Sequence, residues 1–344
     1  MALWSVMQST SIPLSITACS SSSGVVVLSP LHIVWLCMST RTQPDRSGSD
    51  SWGCRTAAVG IRRRYRPSII DVALRSKFRS PRAKILFVTG ASGYLGRHVV
   101  NGPASADWEI IAPSSTSLDV RNRDAVLDMV RDWRPTAIAH LAYRKSDRLS
   151  IVDASRHVAE AAAACKARLV HISSDVVFPG RPTAYVETDE PFPLIDYARD
   201  KIDAERAVAE ACPEAVMVRT SLLYGTNELG AAQQAVVDAI DGRSDTTFFT
   251  DEVRCPAHVD DVAGALTRLA AMRDVSGPLH VAGPEALSRA EFAIRTADTL
   301  GLDPSLVRSG TLAESGLVRP GRVVLDSSRA AMLEIRCRAV YASD

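Results

Sequence analysis

Lysine is scarce in this chain of 344 residues. Of 40 basic residues only five are Lys (Lys77, Lys84, Lys145, Lys166 and Lys201), so a Lys at a patterned position carries weight. Cysteine is no richer. The seven Cys are scattered, with no C-x-x-C and no Cys/His grouping at metal-ligand spacing. That argues against a metal site and leaves reduced, incidental thiols as the default. Long apolar runs are missing too: residues 25–37 are interrupted by Ser29, Pro30 and His32, and the run is shorter than the ~20 residues that span a bilayer. Charge is absent from residues 1–40, which are Ser-rich and offer no charged start for a signal peptide.

Residues 41–82 turn Arg-rich, with Arg62, Arg63, Arg64 and Arg66 close together. Residues 1–82 hold 11 Lys+Arg against 3 Asp+Glu, which leaves 29 basic and 36 acidic residues in the remainder. The formal net charge of +1 thus hides a mildly acidic body, which argues against a nucleic-acid partner. Residues 1–82 are expected to be a disordered extension, with an organelle transit peptide or a basic interaction tail as the competing readings. The expected location is cytoplasmic, with organelle import if the extension is a transit peptide, and no membrane partner is expected. With 46% hydrophobic and 23% charged residues, the rest is globular.

From Lys84 onward strands and helices alternate. Residues 84–89 read as a buried parallel strand, 94–100 as a helix, 109–112 as a strand and 123–133 as a helix. Residues 137–141 and 168–173 continue the strands, with an Ala-rich helix over 151–165 between them; a helix over 196–211 and a strand over 215–219 follow. The rhythm predicts an α/β fold with a doubly wound, Rossmann-like parallel sheet. Ligands bind outside the carboxyl ends of such strands.

Thr89-Gly90-Ala91-Ser92-Gly93-Tyr94-Leu95-Gly96 follows the first strand and opens a helix. Gly90 allows the tight turn, Gly93 a close approach to pyrophosphate, and Gly96 close helix–strand packing. The helix N-terminus offers N–H groups and positive dipole to phosphate. A carboxylate at the end of the second strand would favour NAD, but Ala112-Pro113-Ser114-Ser115 stands there. Ser92, Ser114 and Arg97 could serve a 2′-phosphate, so NADP is the expected cofactor and NAD the alternative.

Tyr197-Ala-Arg-Asp-Lys201 places a phenol and an ammonium on one helix face. A ketone accepting hydride must gain a proton at oxygen. A free Tyr titrates near ~10; a Lys ~5 Å away would favour the phenolate by ~3 kcal/mol at an effective dielectric of ~20. Lys201 is therefore expected to lower the Tyr197 pKa.

The spacing Gly90-x-x-Gly93-x-x-Gly96 resembles the extended short-chain dehydrogenase/reductases. Ser173-Ser-Asp-Val-Val-Phe-Pro-Gly180, Val218-Arg-Thr-Ser-Leu-Leu-Tyr224-Gly225, Cys255-Pro256 before His258-Val-Asp-Asp261, His280-Val-Ala-Gly-Pro-Glu-Ala-Leu-Ser-Arg289, and Arg319-Pro320 before Leu325-Asp326 resemble the dTDP-4-dehydrorhamnose reductase family. The resemblance implies Ser174, Tyr197 and Lys201 as the catalytic group, with Lys201 also on the nicotinamide ribose. It implies cofactor contacts from Gly90, Ser92, Gly93, Tyr94, Leu95 and Gly96, from Asp119 and Val120 at the adenine, and from Leu141, Ala142 and Tyr143. It further implies a nucleotide-sugar substrate held by residues 222–256 and 284–344 within a unit spanning 83–344, and leaves a homodimer open. Ser173, Leu222 and Arg254 are substrate candidates. Leu222 stands where the reductases usually have Trp, and Asp251-Glu-Val-Arg-Cys-Pro256-Ala257 replaces their Asp-Gln-x-Gly-x-Pro-Thr. Glu252 and Arg254 thus bring charge where an amide and a Gly are usual, and an Arg there could suit a diphosphate. The function implied is NAD(P)H-dependent reduction of a keto-sugar nucleotide. The alternatives are an NAD-dependent epimerase or dehydratase, and a non-catalytic NADP-binding regulatory subunit.

The missing acid at Ser114 makes a direct prediction. NADPH should bind more tightly than NADH in a fluorescence titration. A preference for NADH of about tenfold, roughly 1.4 kcal/mol, would contradict it.

Overall fold

The computed structural model describes residues 84–341, together with the backbone of a short antiparallel pair, Val26–Ser29 with His32–Val34. The expectation for residues 1–82 otherwise lies outside the described residues. Six parallel strands form the central sheet: β1 (Ile85–Thr89), β2 (Glu109–Ile111), β3 (Ala137–His140), β4 (Arg168–Ser174), β5 (Val216–Thr220) and β6 (Gly277–His280). Their order is β2-β1-β3-β4-β5-β6. The chain leaves β1 toward one edge, then returns to β3 on its other side. The topological switch point therefore falls between β1 and β3, where the glycine-rich turn emerges.

The helices are α1 (Tyr94–Asn101), α2 (Arg123–Trp133), α3 (Ala154–Cys165), α4 (Asp196–Ala211), α5 (Ala231–Ile240), α6 (Val259–Leu269) and α7 (Arg289–Thr299). Successive strand residues point to opposite faces, and here both faces are covered. Leu86, Val88, Ala139, Val170 and Val218 join Leu95, Val99, Val262 and Leu266 in the core under α1 and α6. Phe87, Ile138, Leu169 and Met217 meet Val126, Val130, Val158 and Ala162 under α2 and α3. This two-sided burial explains why the strands read as continuous apolar runs.

Local chemistry sets the helix ends. The Asn122 side chain accepts the Ala125 N–H at the start of α2, and Arg134 closes it in a left-handed turn, φ 44°. The α3 run starts earlier than its periodicity suggests: Leu149–Asp153 form a wider, π-type turn before the regular helix. At α7, Ser288 and Glu291 form a reciprocal capping box. Beyond β5, short pairings tie residues 222–256 to later segments. Leu223–Tyr224 runs parallel to Ala257–His258, Val253–Arg254 antiparallel to Leu287–Ser288, and Phe248–Phe249 parallel to Ser309–Gly310.

Candidate active site

The turn after β1 is tight for stated steric reasons. Gly90 lies at φ +73°, and a Cβ on it would come within 2.7 Å of the Ala142 nitrogen. A Cβ on Gly96 would sit 2.1 Å from the Gly90 carbonyl oxygen. Gly93 precedes α1 with no side-chain cap, so the first N–H groups of the helix face outward for a ligand. The side chains of the next two residues turn away. Tyr94 donates to the Glu228 carbonyl at 2.9 Å, and Leu95 is buried in the core. Their backbone N–H groups stay at the turn, at the N-terminus of α1.

The end of β1 is stitched to the end of β3 by Thr89. Its hydroxyl lies 2.7 Å from His140 Nδ1 and accepts from the Leu141 and Ala142 nitrogens at 3.2 and 3.4 Å. That stitch fixes Leu141 and Ala142 against Gly90 and sends Tyr143 out to the surface of the site. Asp119 is half-exposed and paired with Arg121, whose Nη2 lies 2.8 Å from Oδ2; the pairing lowers its pKa to about 2. Asp119 is not the cap of α2, a role held by Asn122. Val120 packs at the edge of the core, and its carbonyl lies 3.3 Å from His157 Nδ1. Arg97 donates to the Ser92 carbonyl and pairs with Glu228, while Ser114 is hydrogen-bonded to Thr116 and Ser117.

Tyr143 brings the two halves of the site together. Its ring stacks on Tyr197 with centroids 6.1 Å apart, and Lys201 Nζ sits 4.0 Å from its centroid. Tyr197 donates to the Tyr143 hydroxyl at 3.3 Å, and Lys201 donates to the Ile172 carbonyl at 3.1 Å. The expected lowering of the Tyr197 pKa is absent. Burial, then Tyr143 and Asp175, raise it, and Lys201 is directed to a carbonyl and an aromatic face instead. Burial lowers Lys201 to about 8, opposed by Glu205, so it stays mainly protonated at pH 7. Burial and Lys201 lower His140 to about 3, and burial, Lys201 and His140 hold His171 well below the usual imidazole range. Both stacked imidazoles are therefore neutral, and Lys201 carries the positive charge there.

Glu205 lies one further turn along the same face of α4, four residues after Lys201 and eight after Tyr197. It accepts from Arg219 Nη2 at 2.7 Å and Nε at 3.0 Å, and from the Ser173 hydroxyl at 2.5 Å. The pair is almost sealed, with 3% of the Arg219 and 8% of the Glu205 side chain exposed. Ser173 is thereby corrected: its hydroxyl points inward and cannot reach substrate. Ser174 points the other way. It accepts weakly from Val176 N–H at 3.4 Å, and its hydroxyl donates to Asp175 Oδ1 at 3.2 Å. Asp175 Oδ2 accepts from Ser221 at 2.6 Å.

Arg254 is corrected as well. It is neither at the surface nor free for a diphosphate. It is 3% exposed and donates to the carbonyls of Val253, Gly321 and Pro320 and to Glu252 Oε1, with Asp175 Oδ2 3.7 Å from its Nε. Leu222 is partly buried, and its carbonyl accepts from Ala257 N–H at 2.8 Å. Glu205, Arg219 and Asp175 escaped the sequence reading, although the spacing Tyr197, Lys201, Glu205 marks one helix face. A cavity of about 550 Å³ lies farther along, lined by Thr246, Phe249, Thr311, Leu317 and Arg319 among others. Ser174, Tyr197 and Lys201 do not line it. No helix among the described residues is long and apolar enough to cross a membrane.

The model of the RmlD substrate binding domain family matches residues 83–340. Methionine adenosyltransferase 2 subunit beta of Rattus norvegicus is 31% identical over 286 residues, 76% of this chain and 85% of the relative. The dTDP-4-dehydrorhamnose reductase of Mycolicibacterium smegmatis is 32% identical over 264 residues, 72% of this chain and 80% of the relative. Among solved structures, the dTDP-4-dehydrorhamnose reductase of Bacillus anthracis in complex with NADP superposes with a TM-score of 0.67 at 25% identity, covering 75% of this chain and 95% of that one.

The buried pair generates a stability prediction. Glu205→Ala strands the Arg219 guanidinium and should cost about 3–5 kcal/mol. Urea unfolding measures this. A loss below about 1 kcal/mol would mean that the pair does not hold α4 in place.

Proposed function

Because the chain belongs to the RmlD substrate binding domain family, we propose that it is an NADP-dependent reductase of a keto group on a nucleotide sugar. One observation carries this reading: the Gly90–Gly96 turn and the Tyr197–Lys201 face meet around Tyr143 at the carboxyl ends of β1, β3 and β4. The fit to a dinucleotide rests on the same turn. A side chain at Gly90 or Gly96 would collide with backbone, and α1 presents its N-terminus without a cap. The reductases of Mycolicibacterium smegmatis and Bacillus anthracis, the latter solved with NADP, support the substrate class and the cofactor.

When bound, the nicotinamide cofactor supplies the hydride. The chain's own residues hold and move the proton. Tyr197 carries the phenolic proton, delivered to the carbonyl oxygen as that atom gains charge. Its raised pKa keeps it protonated at pH 7, as a donor must be. Ser174 reorients its hydroxyl from Asp175 to the developing oxyanion. Lys201 places its charge beneath Tyr143, where a ribose hydroxyl can accept from it. The backbone N–H groups of Tyr94, Leu95 and Gly96 would hold the pyrophosphate, Ala142 and Tyr143 would line the cofactor, and Asp119 and Val120 would hold the adenine. Residues 222–256 and 284–344 form most of the substrate-binding portion, with Leu222 at its edge.

A second reading, a non-catalytic NADP-binding regulatory subunit, is favoured by one finding: a relative at 31% identity is a subunit of a methionine adenosyltransferase. The two readings differ in what they demand of Tyr197. Under the reductase reading, Tyr197→Phe should keep NADPH affinity and lower turnover of dTDP-4-dehydrorhamnose by at least ~10². Lys201→Met should weaken both cofactor binding and turnover. Wild-type turnover in Tyr197→Phe would sink the proposed proton donor.

A further inference from the structure

Beyond Ser174 and Asp175 lies a cluster of five charged groups: Asp175, Glu252, Arg254, Arg289 and Arg319. Contacts place them in one neighbourhood: Arg289 N–H donates to the Glu252 carbonyl at 2.8 Å, Arg254 lies 3.3 Å from Glu252 Oε1 and 3.7 Å from Asp175 Oδ2, and Arg319 lies 3.6 Å from Glu252 Oε2. Two of the five are fully committed. Asp175 takes hydrogen bonds from Ser174 and Ser221, and Arg254 is saturated by three carbonyls, Glu252 and the Asp175 contact. The remaining groups are not. Glu252 is 7% exposed, and its Oε2 is buried with no hydrogen bond; the nearest ion-pair partner is Arg319 Nη1 at 3.6 Å. Arg289 Nη1 is likewise buried with no hydrogen bond.

A buried acceptor and a buried donor left open in one cluster each cost free energy until filled. A cation would satisfy Glu252 and be repelled by the arginines. A phosphate would satisfy Arg289 and meet the Glu252 carboxylate. A hydroxyl does both, donating to Glu252 Oε2 and accepting from Arg289 Nη1. The backbone keeps the two side chains side by side, because Arg289 N–H donates to the Glu252 carbonyl at 2.8 Å across the Val253–Arg254 and Leu287–Ser288 pairing.

We propose that Glu252 and Arg289 are specificity-determining residues that bind a hydroxyl of the glycosyl group of the ligand, not its diphosphate. This deepens the sugar-nucleotide reading above and rests on it. It also gives a use to Glu252, the charge that stands where the resembling reductases carry an amide. Arg319, half-exposed, reaches Glu252 Oε2 at 3.6 Å and also lines the neighbouring 550 Å³ cavity, so one side chain borders both the cluster and that cavity.

The test compares dTDP with dTDP-glucose by isothermal titration, using the full chain, Arg289→Met and Glu252→Gln, with thermal unfolding of each sample to establish folding. Each variant should bind dTDP-glucose more weakly by at least about tenfold while its affinity for dTDP stays as in the parent. Equal losses for both probes in Arg289→Met, or tighter dTDP binding in Glu252→Gln, would assign the cluster to the diphosphate and overturn the proposal. Unchanged affinity for both probes in both folded variants would make the cluster purely structural. A parent chain that binds NADPH but neither probe would overturn the sugar-nucleotide reading itself, and this assignment with it.

Discussion

The ion pair between Glu205 on α4 and Arg219 on β5 is the constraint on which the site depends. It is nearly sealed from water, and the low-dielectric surroundings make its separation costly. Its position matters more than its strength. Glu205 sits on the same helical face as Tyr197 and Lys201, so a clamp on Glu205 fixes the rotation of α4 about its axis. It also takes up the Ser173 hydroxyl, and the alternation of β4 then leaves Ser174 on the side of the site. One pair thus orients a phenol, an ammonium and a hydroxyl that come from two different elements.

A second, smaller device organises the cofactor side. The Thr89 hydroxyl ties the end of β1 to the end of β3, and the glycine turn closes against Ala142 with no room for a side chain. Tyr143 follows directly and is the contact through which the two halves meet. Its ring lies against both Tyr197 and Lys201. Burial sets the direction of both titrations: it raises the phenol, with Tyr143 and Asp175 adding to the rise, and lowers the ammonium against the opposing pull of Glu205. Neutral His140 and His171 beneath them add no competing charge.

The fold was legible because it is built from locally consistent signals. Apolar runs marked five of the six sheet strands, Gly277–His280 being the one not read, and the helices over 123–133 and 196–211 fall where their periodicity places them. The glycine turn, Ser174, Tyr197 and Lys201 were legible because each is a residue type fixed at a strand end or on a helix face. What escaped was the charge inside. An Arg or Glu in a strand or helix reads as exposed unless its partner is known, and the partners here are remote in sequence. Arg254 was read as a candidate diphosphate contact and is a buried hub, held by carbonyls more than sixty residues away. Ser173 was read as a substrate contact, whereas Glu205, thirty-two residues on, turns it inward. The early start of α3 was hidden because a wider turn at Leu149–Asp153 shifts the phase of the apolar pattern.

The reductase and regulatory-subunit readings share the fold, the glycine turn and the buried clamp, and they part only at the transfer of hydride. The most direct measurement follows that atom. The full chain is incubated with dTDP-4-dehydrorhamnose and NADPH deuterated at the nicotinamide C4, and the sugar nucleotide is recovered for mass spectrometry. The account predicts one deuterium bound to the former carbonyl carbon. NADPH that binds yet keeps its deuterium, with the ketone recovered unchanged, would contradict it.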